Sequence, residues 1–70
     1  MGDVLIPLGQ RIRDLRIARG WRQIDLAEHS GVHEVHLSLL ERGKHEVGVQ
    51  RLKDIVTALD SSLSEILKGL

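Results

Sequence analysis

Apolar residues recur along this chain at steps of three and four, in short runs broken by glycine or by an Asp-Ser pair. That period belongs to an α-helix with one buried face, and the breaks keep each helix short. Leu8, Ile12 and Leu15 form the first stripe, with Arg16 and Arg19 opposite. Pro7 suits a first helical turn and Gly20 suits a left-handed C-terminal cap. Helix 1 is therefore expected over about 7–19, behind a short tail of residues 1–6. Helix 2 is expected over about 22–29, with Leu26 and Ala27 inward and Gly31 ending it after Ser30. Helix 3 follows over about 33–41, with Leu37 and Leu40 inward and Gly43 as its stop. After a loop over Gly43–Gly48, Val49, Leu52, Ile55, Val56 and Leu59 give helix 4 a core face. Gly48 is its expected N-cap. Asp60 and Ser61 break helix 4, and Ser62-Leu63-Ser64-Glu65 is a capping box that starts a short helix 5. No β-alternation of useful length, repeat or linker interrupts residues 7–70, so the fold class is all-α, one five-helix domain.

Composition narrows what such a domain can do. Seventy residues make one small core that buries only roughly 60% of the unfolded surface. Without cysteine there is neither a disulfide framework nor a thiolate zinc site. Trp21 is the one aromatic, which argues against modules that stack single-stranded bases on rings. No apolar run is long enough for a transmembrane helix or a signal peptide. The expected setting is cytoplasmic, in a bacterium or phage.

Net charge is zero, with ten basic and ten acidic residues, so a strongly basic domain is excluded. The zero is nonetheless patterned. Residues 1–22 carry five arginines against two aspartates; residues 23–41 carry four carboxylates and no Lys or Arg. Residues 42–53 carry Arg42, Lys44, Arg51 and Lys53 against Glu46, and residues 54–70 are acidic again. Two basic blocks flanking an acidic one can still reach phosphates, although solvated helix faces look the same.

Gln23 to Glu41 reads as a short helix, a glycine turn and a second helix. Ala27 supplies a small contact and Gly31 a position free to take positive φ. Such a pair alone is a weak signal. The chain adds Leu8-Gly9-Gln10-Arg11-Ile12-Arg13-Asp14-Leu15-Arg16, Arg19-Gly20-Trp21-Arg22-Gln23, Leu26-Ala27-Glu28, Gly31-Val32, Leu37, Leu40-Glu41-Arg42-Gly43-Lys44, Leu52, Ala58-Leu59 and Ser62-Leu63-Ser64-Glu65-Ile66-Leu67. Together these resemble the XRE family, the lambda repressor/Cro-type helix-turn-helix domain, over about 8–67.

The resemblance implies a lambda repressor-like five-helix fold, with helices 2 and 3 as the helix-turn-helix. It implies a homodimer that binds double-stranded operator DNA at a near-palindromic site, the recognition helix in the major groove. Gln23 matches the family's glutamine at the start of helix 2, which bonds a phosphate. Arg42 and Lys44 match the basic turn after the recognition helix, and Arg22 joins this phosphate set. Arg16 and Glu41 match a family ion pair, structural in role. Helix 3 is expected to present His33, Glu34, Val35, Ser38 and Leu39 to base edges. Here the chain departs from family habit, since Arg, Lys, Gln and Asn are all missing from that helix. Glu34 can accept from cytosine N4, Val35 and Leu39 can pack on thymine methyls, and His33 and Ser38 can each donate one bond.

Val35 and Leu39 make an i, i+4 apolar ridge that a partner protein could cover, so the alternative function is a protein-interaction or antitoxin-type module that docks a partner through this ridge or through helix 5. His33 and His36 lie at chelating spacing but lack a third ligand, so no metal and no cofactor are expected. Trp21 is expected to pack at the core or its rim. Enzymatic chemistry has no support, because no phosphate loop or paired acid–base set is present. Val47, Val49, Leu63, Leu67 and Leu70 exceed what a five-helix core needs, and are expected to form a two-fold contact.

Overall fold

The computed structural model describes residues 3–70. Five α-helices follow one another: α1 Leu5–Ala18, α2 Gln23–Ser30, α3 Glu34–Glu41, α4 Val49–Ala58 and α5 Leu63–Leu67. No strand occurs among the described residues. The radius of gyration is 10.8 Å, close to the roughly 11 Å of a single compact domain of this length.

The core joins all five helices through residues that the periodicity marks as inward. Leu8 and Ile12 come from α1, Leu26 from α2, Leu37 and Leu40 from α3, Leu52, Ile55 and Val56 from α4, and Ile66 from α5. Val32 and Leu59, in the turns, complete it. Each such side chain contributes about 1.5–3 kcal/mol on burial. The contacts order the helices: α3 packs on α1 and α2, α2 also on α4, and α5 on α1 and α4.

Helix ends follow local chemistry, with differences from the sequence reading. α1 starts at Leu5 rather than Pro7, so the last part of the expected 1–6 tail is helical. Asp3 Oδ1 accepts from Leu5 N–H at 3.0 Å and initiates it. Pro7 becomes the third helical residue, still in the turn whose N–H groups lack intrahelical partners. Met1 and Gly2, the start of that tail, lie outside the described residues. α3 starts at Glu34 because His33 stands outside as its N-cap, Nδ1 accepting from Val35 N–H at 3.1 Å. Val49, assigned to the core face, is instead 73% exposed, because it opens α4 at the far end of its stripe. Ser62 caps α5 through Oγ, accepting from Glu65 N–H at 3.1 Å.

Candidate nucleic-acid interface

The turn between α2 and α3 is three residues long. Gly31 has φ +75°, a left-handed value that costs a Cβ-bearing residue about 1 kcal/mol or more. Val32 N–H donates to Ser30 Oγ at 3.2 Å, and its side chain is buried. The two helices are thereby joined through a short, cored turn.

A second set of contacts fixes α3 from its other end. Arg16 in α1 meets Glu41, the last residue of α3, as a bidentate pair: Nε to Oε2 at 2.7 Å and Nη2 to Oε1 at 2.9 Å. The Glu41 side chain is 1% exposed. Arg16 Nη1 also donates to the Trp21 carbonyl at 2.7 Å. The Glu41 bonds hold the guanidinium in its charged form, above its ordinary pKa despite burial. Gln23, first residue of α2, donates from Nε2 to Glu41 Oε1 at 3.2 Å. One buried carboxylate thus gathers α1, α2 and α3. Gln23 keeps its second amide hydrogen and its carbonyl for another partner.

Gly9 completes this anchor. A Cβ there would overlap the Leu40 carbonyl oxygen and stand 2.9 Å from the Glu41 carbonyl oxygen. α1 therefore touches the α3 backbone directly. Nothing in the sequence marks Gly9 for this role, because no pattern connects it to a helix some thirty positions away.

Beyond these anchors, α3 turns another surface outward. His33, Glu34 and Val35 are exposed, Val35 at 54%, whereas Ser38 and Leu39 are half-buried. The apolar ridge is thus less open than the i, i+4 pattern suggests. His33 spends Nδ1 on the Val35 amide, which leaves Nε2–H as its outward donor in the neutral ring.

The basic residues differ in freedom. Arg22 is exposed but engaged: Nε and Nη2 each reach Asp25 at 3.2 Å, and its backbone N–H donates to Asp25 Oδ2 at 2.7 Å. The side-chain bond from Arg22 holds the Asp25 carboxyl below its usual value. Arg42 lies exposed over the end of α3, its Nε 3.3 Å from the Ser38 carbonyl. Lys44 is exposed, and its backbone is pinned by a bond to the Leu39 carbonyl at 2.9 Å. This bond and that from Gly43 N–H to the Leu40 carbonyl close the helix end as a Schellman motif.

Trp21 is half-buried against the core; His29 stacks on its ring at 4.2 Å, and the Arg19 guanidinium lies 4.5 Å from the ring centroid. Among the described residues no group of three or more potential ligands could hold a metal, and no helix could cross a membrane. Of the apolar residues expected at a two-fold contact, Leu67 and Leu70 are exposed, as is Val49. Val47 and Leu63 instead pack partly against the core, where they close the loop before α4 and the start of α5.

Comparison with known proteins gives the arrangement its relatives. The sequence model of a family described as Helix-turn-helix matches residues 12–66. The uncharacterized HTH-type transcriptional regulator y4dL of Sinorhizobium fredii is 39% identical over 51 residues, 73% of this chain. The chain spans about a quarter of that relative's length, the match covering 26% of it. Among solved structures, the restriction-modification controller protein C.AhdI from Aeromonas hydrophila superposes with a TM-score of 0.87 at 35% identity. The alignment covers 93% of this chain and 98% of that one. The clp gene regulator ClgR from C. glutamicum superposes with a TM-score of 0.83 at 35% identity, over 89% of this chain and 80% of that one.

Proposed function

The chain belongs to the XRE-type helix-turn-helix family, and from that premise we propose that it is a DNA-binding transcriptional regulator, non-enzymatic, that reads duplex sequence with α3. The observation carrying this reading is the buried Glu41 node. It holds the start of α2 and the whole of α3 in one fixed relation while the N-terminal half of α3 stays open. A recognition helix needs that arrangement: bases specify, but phosphate contacts set register.

In this reading Gln23, Arg22, Arg42 and Lys44 meet phosphates on either side of the major groove. Gln23 does so with the amide hydrogen that Glu41 leaves free. Arg22 must share its guanidinium with Asp25 or release it. His33, Glu34, Val35, Ser38 and Leu39 face base edges, Val35 against a thymine methyl and Glu34 against cytosine N4. One such helix covers few base pairs, so two copies on a near-palindromic site are required, with Val49, Leu67 and Leu70 as the apolar residues still open for the two-fold contact. The half-burial of Leu39 narrows the ridge a partner protein could grip, and so favours DNA over the protein-interaction alternative.

Selection from a random duplex pool tests the reading. Glu34→Gln removes a charge that repels phosphates, and is expected to tighten binding overall and shift base preference at one position. Val35→Ala is expected to relax preference for thymine at a neighbouring position. An unchanged selected sequence in both variants would remove α3 as the reader.

A further inference from the structure

The hollow between α3, the loop over 43–48 and α4 has a floor of Val32, Leu40 and Ile55 and a rim that carries His36, His45 and Arg51 with one carboxylate, Glu46. Resting on the DNA reading above, we propose that this rim is a phosphate clamp whose closure on duplex DNA takes up one proton, at His45.

Hydrogen-bond polarity sets the two rings apart. Arg51 Nη1 lies 3.1 Å from His36 Nδ1. A guanidinium only donates, so His36 Nδ1 accepts, and the neutral ring carries its hydrogen on Nε2. His36 is therefore already a donor. His45 is set the opposite way. Its Nδ1 lies 2.6 Å from the Glu46 carbonyl, which only accepts, so Nδ1 carries the hydrogen and neutral Nε2 is a bare lone pair. The two rings lie nearly parallel, 5° apart in plane, with centroids 5.9 Å apart.

An anion at this rim meets donors from Arg51 and His36 but an acceptor from His45. Protonating His45 Nε2 turns the third group into a donor with a charge. Among the described residues no carboxylate lies within ion-pair distance of Arg51, so its charge is open to an external anion. Glu46 is the one carboxylate that lines the hollow, so an anion must sit on the Arg51 side of the rim. The other charged groups around it are Lys44 beside His45, Glu34 on α3, and Glu28 across from His33. Position supplies the phosphate: the His33 ring, at the open end of α3, lies 6.3 Å from His36, and the exposed Lys44 directly precedes His45 in the loop. The rim thus continues the surface assigned to DNA. By linkage, a proton gained on binding makes affinity rise as pH falls.

The test measures affinity for a selected duplex at two pH values in wild type and variants, with thermal unfolding confirming that each is folded. Wild type is expected to bind up to about tenfold tighter near pH 6 than near pH 8. His45→Gln should bring that ratio close to one. His45→Lys, permanently charged, should bind tightly at both. His36→Gln and Arg51→Gln should weaken binding at both while keeping the ratio, and His29→Gln, outside the rim, should match wild type. Duplex binding that is flat with pH, or a ratio that survives His45→Gln, overturns the clamp and leaves the DNA reading standing. A last arm titrates inorganic phosphate near pH 6 while following the His45 ring by NMR. Ring shifts with inorganic phosphate, and no duplex binding at either pH, overturn both the duplex clamp and the DNA reading and assign the rim to free phosphate.

Discussion

Glu41 is the residue on which the arrangement turns. Its carboxylate is buried and bonded by Arg16 and Gln23, so deleting one partner strands a charge. Arg16→Ala is expected to cost about 3 kcal/mol or more in urea unfolding. A joint Arg16→Met, Glu41→Leu replacement should cost less than the two single changes summed. Gly9→Ala should cost at least about 3 kcal/mol by the same measurement, since the new Cβ overlaps backbone rather than a movable side chain. The Arg16 and Glu41 positions were legible only through family resemblance. Gly9 was not legible at all, because a glycine inside a helical stripe reads as a propensity penalty until the opposing backbone is seen. Asp25 gives a prediction in pH. Its folded carboxyl lies below the ordinary 3.8 through its bonds to Arg22, so it adds stability above that value and loses it as pH falls through the folded pKa. The unfolding difference between wild type and Asp25→Asn should therefore be present near neutrality and disappear in acid.

Among elements, α3 depends most on its ends. Its N-cap is His33, and removing a cap costs about 1 kcal/mol. His33→Ala should lower stability by about that amount and speed hydrogen exchange at the Val35 amide, whereas His33→Ser should restore both. All five helices were readable from apolar spacing, and Ser62 from its capping motif. His33 was not, since histidine is not a usual cap residue and its ring suggested base contact or chelation instead. α1 began earlier than read because Asp3, outside the apolar stripe, makes the initiating bond. The turn after α4 places Asp60 at φ +58°, a left-handed conformation that glycine takes without steric penalty. Asp60→Gly is expected to stabilise by about 0.5 kcal/mol, read as a raised Tm.

At the scale of the whole molecule, zero net charge removes the bulk electrostatic attraction that basic DNA-binding domains enjoy. In the proposed DNA reading, affinity must then come from a few placed cations and from pairing two reading helices. The exposed Val49, Leu67 and Leu70 are the apolar residues proposed for that second requirement. Leu67→Asp is expected to abolish self-association in sedimentation at micromolar concentration while leaving the helical content intact. An apolar surplus can be counted in sequence, but whether Val47 and Leu63 turn inward was not legible there, because it depends on how the loop and α5 close over the core. The most direct test of the account is the salt dependence of affinity for a duplex selected by this chain, against a scrambled duplex. The account predicts selective binding whose log K falls with log salt at a slope of roughly −3 or steeper, as expected for several cations meeting phosphates. Affinity that ignores salt, or no selective binding to any duplex at low salt, would contradict it.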